Sequence, residues 1–187
     1  MVDIVRNLKE DPAGFMDGEY EGTKGLILDG MPRTVAQAQM LDAFSDVDLV
    51  LNFFNKDEVL IQKLAGRRIC PCCNKNFNVA AVHTDCGYHM EPLLPKNADP
   101  AFCDGDHEPT RLITREDDTE SVIRSRLNLY NEQTLPILDF YKSKPETRVV
   151  NIEAKRGKKD YPEVKDILLE FLDKGYQREN EEYASAQ

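Results

Sequence analysis

The sequence predicts an α/β fold built on a parallel sheet, interrupted by a small metal-bearing insert. Three observations carry that prediction. Short apolar runs alternate with helical periodicity on either side of residues 66–113, the periodicity stops within that stretch, and all 5 cysteines fall inside it. The 187 residues are 41% apolar, enough for one globular unit with a real core.

At the N-terminus Val2, Ile4, Val5 and Leu8 give a helical stripe over Met1–Lys9. No Ser, Thr, Asp or Asn precedes it as a cap, so the helix reads as entered partway along. A polar, glycine-rich connector leads to Gly25-Leu26-Ile27-Leu28-Asp29-Gly30, which reads as a short strand buried on both faces. Pro32 opens a helix to about Phe44, Val47–Phe54 is a second strand, and Lys56 to about Ala65 a second helix with Val59, Leu60, Ile61 and Leu64 on its buried side. Strand, helix, strand, helix is the grammar of a parallel sheet. Helical pattern returns from Thr119 to about Tyr141, with Asp117 and Glu120 as a capping box and a kink at Pro136. Arg148–Ile152 is a third strand, Tyr161–Leu172 a closing amphipathic helix, and Gly175–Gln187 a polar tail expected to be disordered. The expected divisions are a partial core (1–65), the insert (66–118), a C-terminal core (119–173) and the tail (174–187).

Charge and cysteine usage narrow the function. With 24 basic against 34 acidic residues the net charge is -10, which repels a phosphate backbone and argues against nucleic acid as partner. Apolar runs such as Leu49–Phe54 fall far short of the ~18 residues that a membrane span needs. Acidic side chains recur through the first thirty residues and no apolar segment follows a basic start, so neither secretion nor a transit peptide is expected. An intracellular protein is expected, of the cytoplasm, or of an organelle should a transit peptide lie upstream. Clustered thiols in such a protein point to metal rather than disulfides.

The first choice of ligands is Cys70 with Cys73, closed by Cys103 and Asp106; soft thiolates with one harder ligand suit Zn²⁺. The rival second pair is Cys86 and His89, also two residues apart, and the spacing leaves both open. Four protein ligands leave no open position, so the zinc would be structural. Cys72 reads as a bystander, and a surface role is the default for His83 and His107.

Arginines form a second constellation: Arg33 after the first strand, Arg67 and Arg68 entering the insert, Arg115 leaving it, and Arg124 and Arg126 beyond. Guanidiniums near the ends of a parallel sheet in an acidic protein suit an anionic ligand. Asp29, at the carboxyl end of a buried strand, stands where open α/β sheets bind ligands; a magnesium-bound water and a helix cap are both open to it.

These residues carry a resemblance. Asp29-Gly30-Met31-Pro32-Arg33-Thr34-Val35-Ala36-Gln37 closely resembles the monophosphate signature of adenylate kinases, with Met31 where Phe is usual. Gly66-Arg67-Arg68-Ile69-Cys70 with Cys73, then Cys103 with Asp106, Arg115 with Asp117 and Asp118, and Arg126 are similar to the lid and hinges of the zinc-bearing branch. The match runs in order from Met1 to about Leu172. The resemblance implies a P-loop NTPase-like parallel core, here incomplete, with a zinc-bearing lid over 66–118. It implies reversible phosphoryl transfer between ATP and AMP with Mg²⁺. Gly30, Arg33 and Gln37 would bind AMP, Arg33 at the phosphate and Gln37 at the adenine edge. Arg67 would face ATP near the backbone of Asn76 and Phe77, while Arg115 and Arg126 would embrace the migrating phosphates and Asp29 would serve the catalytic centre. Phosphoryl transfer demands alignment, water exclusion and positive charge more than covalent chemistry, which is what such residues supply. A monomer handling AMP, ATP and ADP is expected.

Two departures stand out. Lys63 occupies a position where many relatives have arginine, which loses planar stacking against a base and leaves GTP as an alternative donor. The 187 residues also contain no Gly-x-x-x-x-Gly-Lys loop: of the ten glycines only Gly25 and Gly30 stand five apart, and Met31 follows. The start is therefore expected to be internal to a longer family member, and this polypeptide alone is expected to turn over little. An interaction protein with a zinc lid and no catalysis is the reading from a different class.

Overall fold

The computed structural model describes residues 26–185, with side chains described through residue 173. The predicted N-terminal helix over Met1–Lys9, the connector and Gly25 lie outside these residues. Leu26–Leu28, expected within a buried strand, form none: Ile27 is 93% exposed and Leu26 half exposed. An apolar run becomes a strand only when its N–H and C=O groups find a neighbouring strand. Among the described residues none pairs with it.

The first helix, α1 (Val35–Asp42), begins three residues later than Pro32 because Thr34 caps it: the Thr34 hydroxyl accepts the Gln37 N–H at 3.2 Å. Then come β1 (Leu49–Phe54) and α2 (Asp57–Ala65). Six strands of two or three residues follow: β2 (Arg67–Ile69), β3 (Asn76–Asn78), β4 (Val82–His83), β5 (His89–Met90), β6 (Phe102–Cys103) and β7 (Thr110–Arg111). The chain then enters α3 (Glu120–Leu129), a π-helical turn at Tyr130–Thr134, α4 (Pro136–Lys142), β8 (Arg148–Glu153) and α5 (Tyr161–Ser185). No helix among the described residues is long and apolar enough to cross a membrane.

The expected kink at Pro136 takes the form of the π turn. Proline has no N–H and its ring crowds the carbonyl four residues back, so the preceding turn widens and the Leu135 N–H reaches Tyr130 O at 2.9 Å. α5 runs beyond Leu172, where a disordered tail was expected. Residues 177–185 are rich in Glu, Gln, Arg and Ala, strong helix formers whose polarity does not oppose a helix.

The chain divides into two units: one runs to Asn52 and includes Ser121–Asn151, and the other takes Phe53–Glu120 and everything from Ile152. β1 and β8 each pass from the first unit into the second. They pair in parallel, with the Arg148 N–H on Asp48 O at 2.8 Å in the first unit and the Ala154 N–H on Phe54 O at 3.2 Å in the second. The first unit packs Ala38 of α1 against Ile137 and Tyr141 of α4, with Val35, Val47, Val50, Phe140 and Val149 around them. Burial pushes the Tyr141 hydroxyl up to about 12.

In the second unit Val59 of α2 packs with Val82, Tyr88 and Met90. The Tyr88 hydroxyl donates to Glu153 Oε1 at 2.7 Å and accepts the Lys56 N–H at 3.1 Å, satisfying a free donor where α2 begins. Hydrogen bonds from Lys155 and then Tyr88 hold the Glu153 carboxyl below its usual range. The predicted insert is three antiparallel hairpins, β2–β3, β4–β5 and β6–β7, tied by bridges between Ile69 and Ile113 and between Asn78 and Leu93.

Where α2 enters β2, Gly66 permits a close approach. A Cβ there would lie 2.5 Å from the Ala80 Cβ and 2.9 Å from the Ala80 nitrogen, while the Val79 N–H donates to Gly66 O at 2.9 Å. Gly66→Ala must push the chain after β3 away, and overpacking of this kind costs about 1–3 kcal/mol. Thermal unfolding of the variant is expected to shift down accordingly; an unchanged midpoint would show that the approach is not a packing constraint.

Candidate functional site

Among the described residues, a tight cluster of chemistry-bearing groups lies in the second unit. Cys70 follows β2, Cys73 lies on the turn before β3, Cys103 ends β6, and His107 sits on the turn to β7. The three sulfur atoms and a ring nitrogen of His107 all lie within 4.8 Å of one another. His107 Nε2 is 3.5 Å from Cys70 Sγ and 3.6 Å from Cys103 Sγ, and the sulfurs of Cys73 and Cys103 are 3.8 Å apart. Cys70 and Cys103 are fully buried, packed with Leu112 and flanked by Cys73 and Phe77.

The fourth member of this group is His107, where Asp106 was expected; Asp106 is exposed and outside it. The reason is local. The His107 N–H donates to Gly105 O at 2.7 Å, making a tight turn, and a Cβ on Gly105 would stand 2.9 Å from His107 Nε2 and 3.6 Å from Cys103 Sγ. Only a bare backbone at 105 lets the ring fold back over the thiols. The expectation of a surface role for His107 is corrected with it. Gly105 midway between Cys103 and His107 was the sequence signal for this arrangement.

The donor set is chemically coherent. His107 Nδ1 lies 2.7 Å from the Glu108 carbonyl, which can only accept, so Nδ1 carries the proton and Nε2 turns a lone pair toward the sulfurs. A backbone hydrogen bond from Lys75 draws the Cys73 thiol below its ordinary value, whereas burial pushes Cys103 up to about 11. Three thiols and one imidazole in this array can hold a tetrahedral borderline ion.

The rival pair does not join this group. Cys86 is exposed, 3.4 Å from Lys56 Nζ and 3.2 Å from Thr84 Oγ1, and hydrogen bonds from Thr84 and then Lys56 lower its thiol. His89 sits with His83 and Glu91 in a separate, exposed cluster, so His83 too has partners.

Among the arginines, Arg67 has a built environment. Its Nε donates to Asp118 Oδ2 at 2.8 Å and its Nη2 to Asp118 Oδ1, a bidentate pair joining the two ends of the insert; the Asp118 side chain is fully buried. Asp118 is the main cause that raises the Arg67 guanidinium further. Asn76 and Phe77 lie on β3 opposite Ile69 and Arg68. Lys63 Nζ donates to Ala80 O at 2.9 Å and Glu91 O at 3.3 Å, so it anchors the insert. Arg115 pairs with Asp117 at 3.0 Å.

In the first unit the signature Asp29–Gln37 forms one hydrogen-bonded loop. Arg33 Nε donates to Gly30 O at 2.7 Å, the Arg33 N–H donates to Gln37 Oε1 at 2.7 Å, and Thr134 Oγ1 donates to Arg33 O at 3.0 Å. This fixes the stem of Arg33 and the orientation of the Gln37 carboxamide. Asp29 is exposed at the start of the loop, and Arg126 is exposed on α3.

Comparison with known proteins decides what this combination belongs to. The family model described as "Adenylate kinase" matches residues 13–146. The chain belongs to the adenylate kinase family. A relative from Plasmodium falciparum named "GTP:AMP phosphotransferase" is 38% identical over 168 residues, 90% of this chain and 69% of the relative. "Probable adenylate kinase 1, chloroplastic" from Oryza sativa subsp. japonica is 45% identical over 130 residues, 67% of this chain and 41% of the relative. "Adenylate kinase" from Solanum tuberosum is 43% identical over 158 residues, 83% of this chain and 51% of that protein. The chain thus spans about half the length of most of the curated relatives it matches. The P-loop NTPase fold of this family accounts for the parallel pair β1–β8.

Removing Arg67 would take from the buried Asp118 carboxylate its bidentate, charge-assisted partner. Arg67→Ala is expected to lower stability by about 3 kcal/mol, and Asp118→Asn with Arg67 intact by less. Denaturant unfolding checks both; equal and negligible losses would show that the pair does not hold the ends of the insert together.

Proposed function

We propose that this chain carries the AMP-binding and lid portions of a nucleoside monophosphate kinase, which moves a phosphoryl group reversibly between ATP and AMP. The observation that carries the reading is the Gly30–Arg33–Gln37 loop. Its internal hydrogen bonds leave the terminal nitrogens of Arg33 as a fork for a phosphate, and commit the Gln37 oxygen so that its NH₂ group meets the base edge. Arg115 and Arg126 would neutralise the phosphates in transfer, a role in which one arginine can contribute roughly three to five decades of rate. Mg²⁺ would accompany the nucleotide and neutralise phosphate charge, with Asp29 holding one of its waters. Arg67, oriented by Asp118, would face the donor, near the backbone of Asn76 and Phe77.

In this reading residues 66–118 are a lid that excludes water during transfer. Zinc held by Cys70, Cys73, Cys103 and His107 would add to the small apolar clusters of these short hairpins. Support comes from the donor set and from the Glu108 carbonyl that fixes the His107 tautomer. GTP as donor is a second reading. It is favoured by the similarity to the protein named GTP:AMP phosphotransferase, and by Lys63, whose amine is committed to Ala80 and Glu91.

Calorimetry with AMP on the full 187-residue chain tests the acceptor site. Binding is expected, and Arg33→Ala should weaken it at least about tenfold, as loss of one charge-assisted fork does. Absence of AMP binding, or binding indifferent to Arg33, would favour an interaction protein. A coupled assay of the same chain should show negligible turnover with ATP or GTP, because a glycine-lysine phosphate cradle is not among its residues. Turnover at ordinary enzyme rates would refute this.

Metal analysis tests the lid. About one zinc per chain is expected, retained in Asp106→Ala and in Cys86→Ala and lost in His107→Ala and Cys103→Ala. Retention in His107→Ala with loss in Asp106→Ala would return the fourth ligand to Asp106.

A further inference from the structure

The hairpin β4–β5 carries a cluster that neither the phosphates nor the thiol site uses. His83 and His89 are cross-strand partners, and Glu91 lies two residues beyond His89, so the pleat brings all three to one face. Val82, Tyr88 and Met90 alternate with them and are buried against α2. The face is therefore held from beneath. The His89 N–H donates to Lys155 O at 2.8 Å, and Lys63 Nζ donates to the Glu91 carbonyl at 3.3 Å, so the backbone of both residues is tied to other elements.

The side chains form a relay. His89 Nε2 lies 3.1 Å from Glu91 Oε1, and the Nδ1 atoms of His83 and His89 are 2.8 Å apart. With the carboxylate accepting from His89 Nε2–H, His89 Nδ1 must accept from His83 Nδ1–H. That leaves His83 Nε2 with a free lone pair, 3.9 Å from Glu91 Oε1. Two ligands on one ion at about 2.0–2.1 Å lie at most about 4.2 Å apart, so both ring nitrogens fall within one ion's reach of the carboxylate oxygen.

We propose that His83, His89 and Glu91 form a second divalent-metal site, exposed and independent of the thiol cluster. The ligands are His83 Nε2, His89 Nε2 and Glu91 Oε1. Binding the ion forms three metal–ligand bonds; the His89 proton moves through solvent from Nε2 to Nδ1, so each ring stays a neutral imidazole, and the Nδ1–Nδ1 hydrogen bond is given up as the two exposed rings turn their Nδ1–H groups to water. Two imidazoles and a carboxylate select first-row ions such as Ni²⁺, Cu²⁺ and Zn²⁺ over Mg²⁺ and Ca²⁺. With side chains 45%, 60% and 52% exposed, the remaining positions stay open to water or to a ligand from another molecule. The Lys63 ammonium, near Glu91, opposes the ion and keeps affinity below that of a thiolate site.

The test is nickel uptake by the 187-residue chain loaded with one equivalent of zinc, which the stronger thiol cluster takes first, read by metal analysis after equilibrium dialysis with Ni²⁺ alone as probe. One nickel per chain is expected with zinc content unchanged. His83→Ala/His89→Ala should weaken uptake at least about thirtyfold and Glu91→Gln about tenfold, both keeping their zinc and their far-ultraviolet circular dichroism. No nickel beyond the zinc, nickel entering only as zinc leaves, or equal uptake by the double variant would each overturn the site. Glu91→Gln binding like the wild type would overturn the three-ligand set.

Discussion

Three sulfur atoms and an imidazole nitrogen lie within 4.8 Å of one another where two hairpins of the second unit meet. The six strands of the insert are two or three residues long, too short to hold one another by ladder hydrogen bonds. Cys70, Cys103 and Leu112 form the interior on which two of the three hairpins close. Thiols packed this closely resist ionising together, and burial adds to that at Cys103.

Charge is used differently at the borders of the insert. Arg67 and Asp118, fifty-one residues apart in sequence, meet in a bidentate pair that brings the two ends of the insert together. Lys63 spends its donors on carbonyls instead of facing a base. Tyr88 serves packing and polarity at once: its ring fills the space beneath α2, and its hydroxyl links the Lys56 N–H to the Glu153 carboxylate.

In the first unit the signature loop depends on side chain to backbone bonds more than on burial. Arg33 is exposed, yet its backbone and its Nε are both committed to hydrogen bonds. The Thr134 hydroxyl that steadies Arg33 comes from the π turn before Pro136. A local backbone defect thereby supports the loop from another element.

The residues themselves determined the alternation of strand and helix at β1, α2 and β8, the insert, the thiols Cys70, Cys73 and Cys103, and the family, because period, spacing and ordered motifs are local properties of a chain. Leu26–Leu28 were misread as a strand because an apolar run specifies burial without saying which neighbour supplies the hydrogen bonds. The continuation of α5 was hidden by polarity, although the propensity of its residues was legible. His107 in place of Asp106, and the meeting of His83, His89 and Glu91, were decided by tertiary structure. A missing Cβ and a cross-strand register set which side chains share a few ångströms, and distances of that size arise only once the backbone has turned.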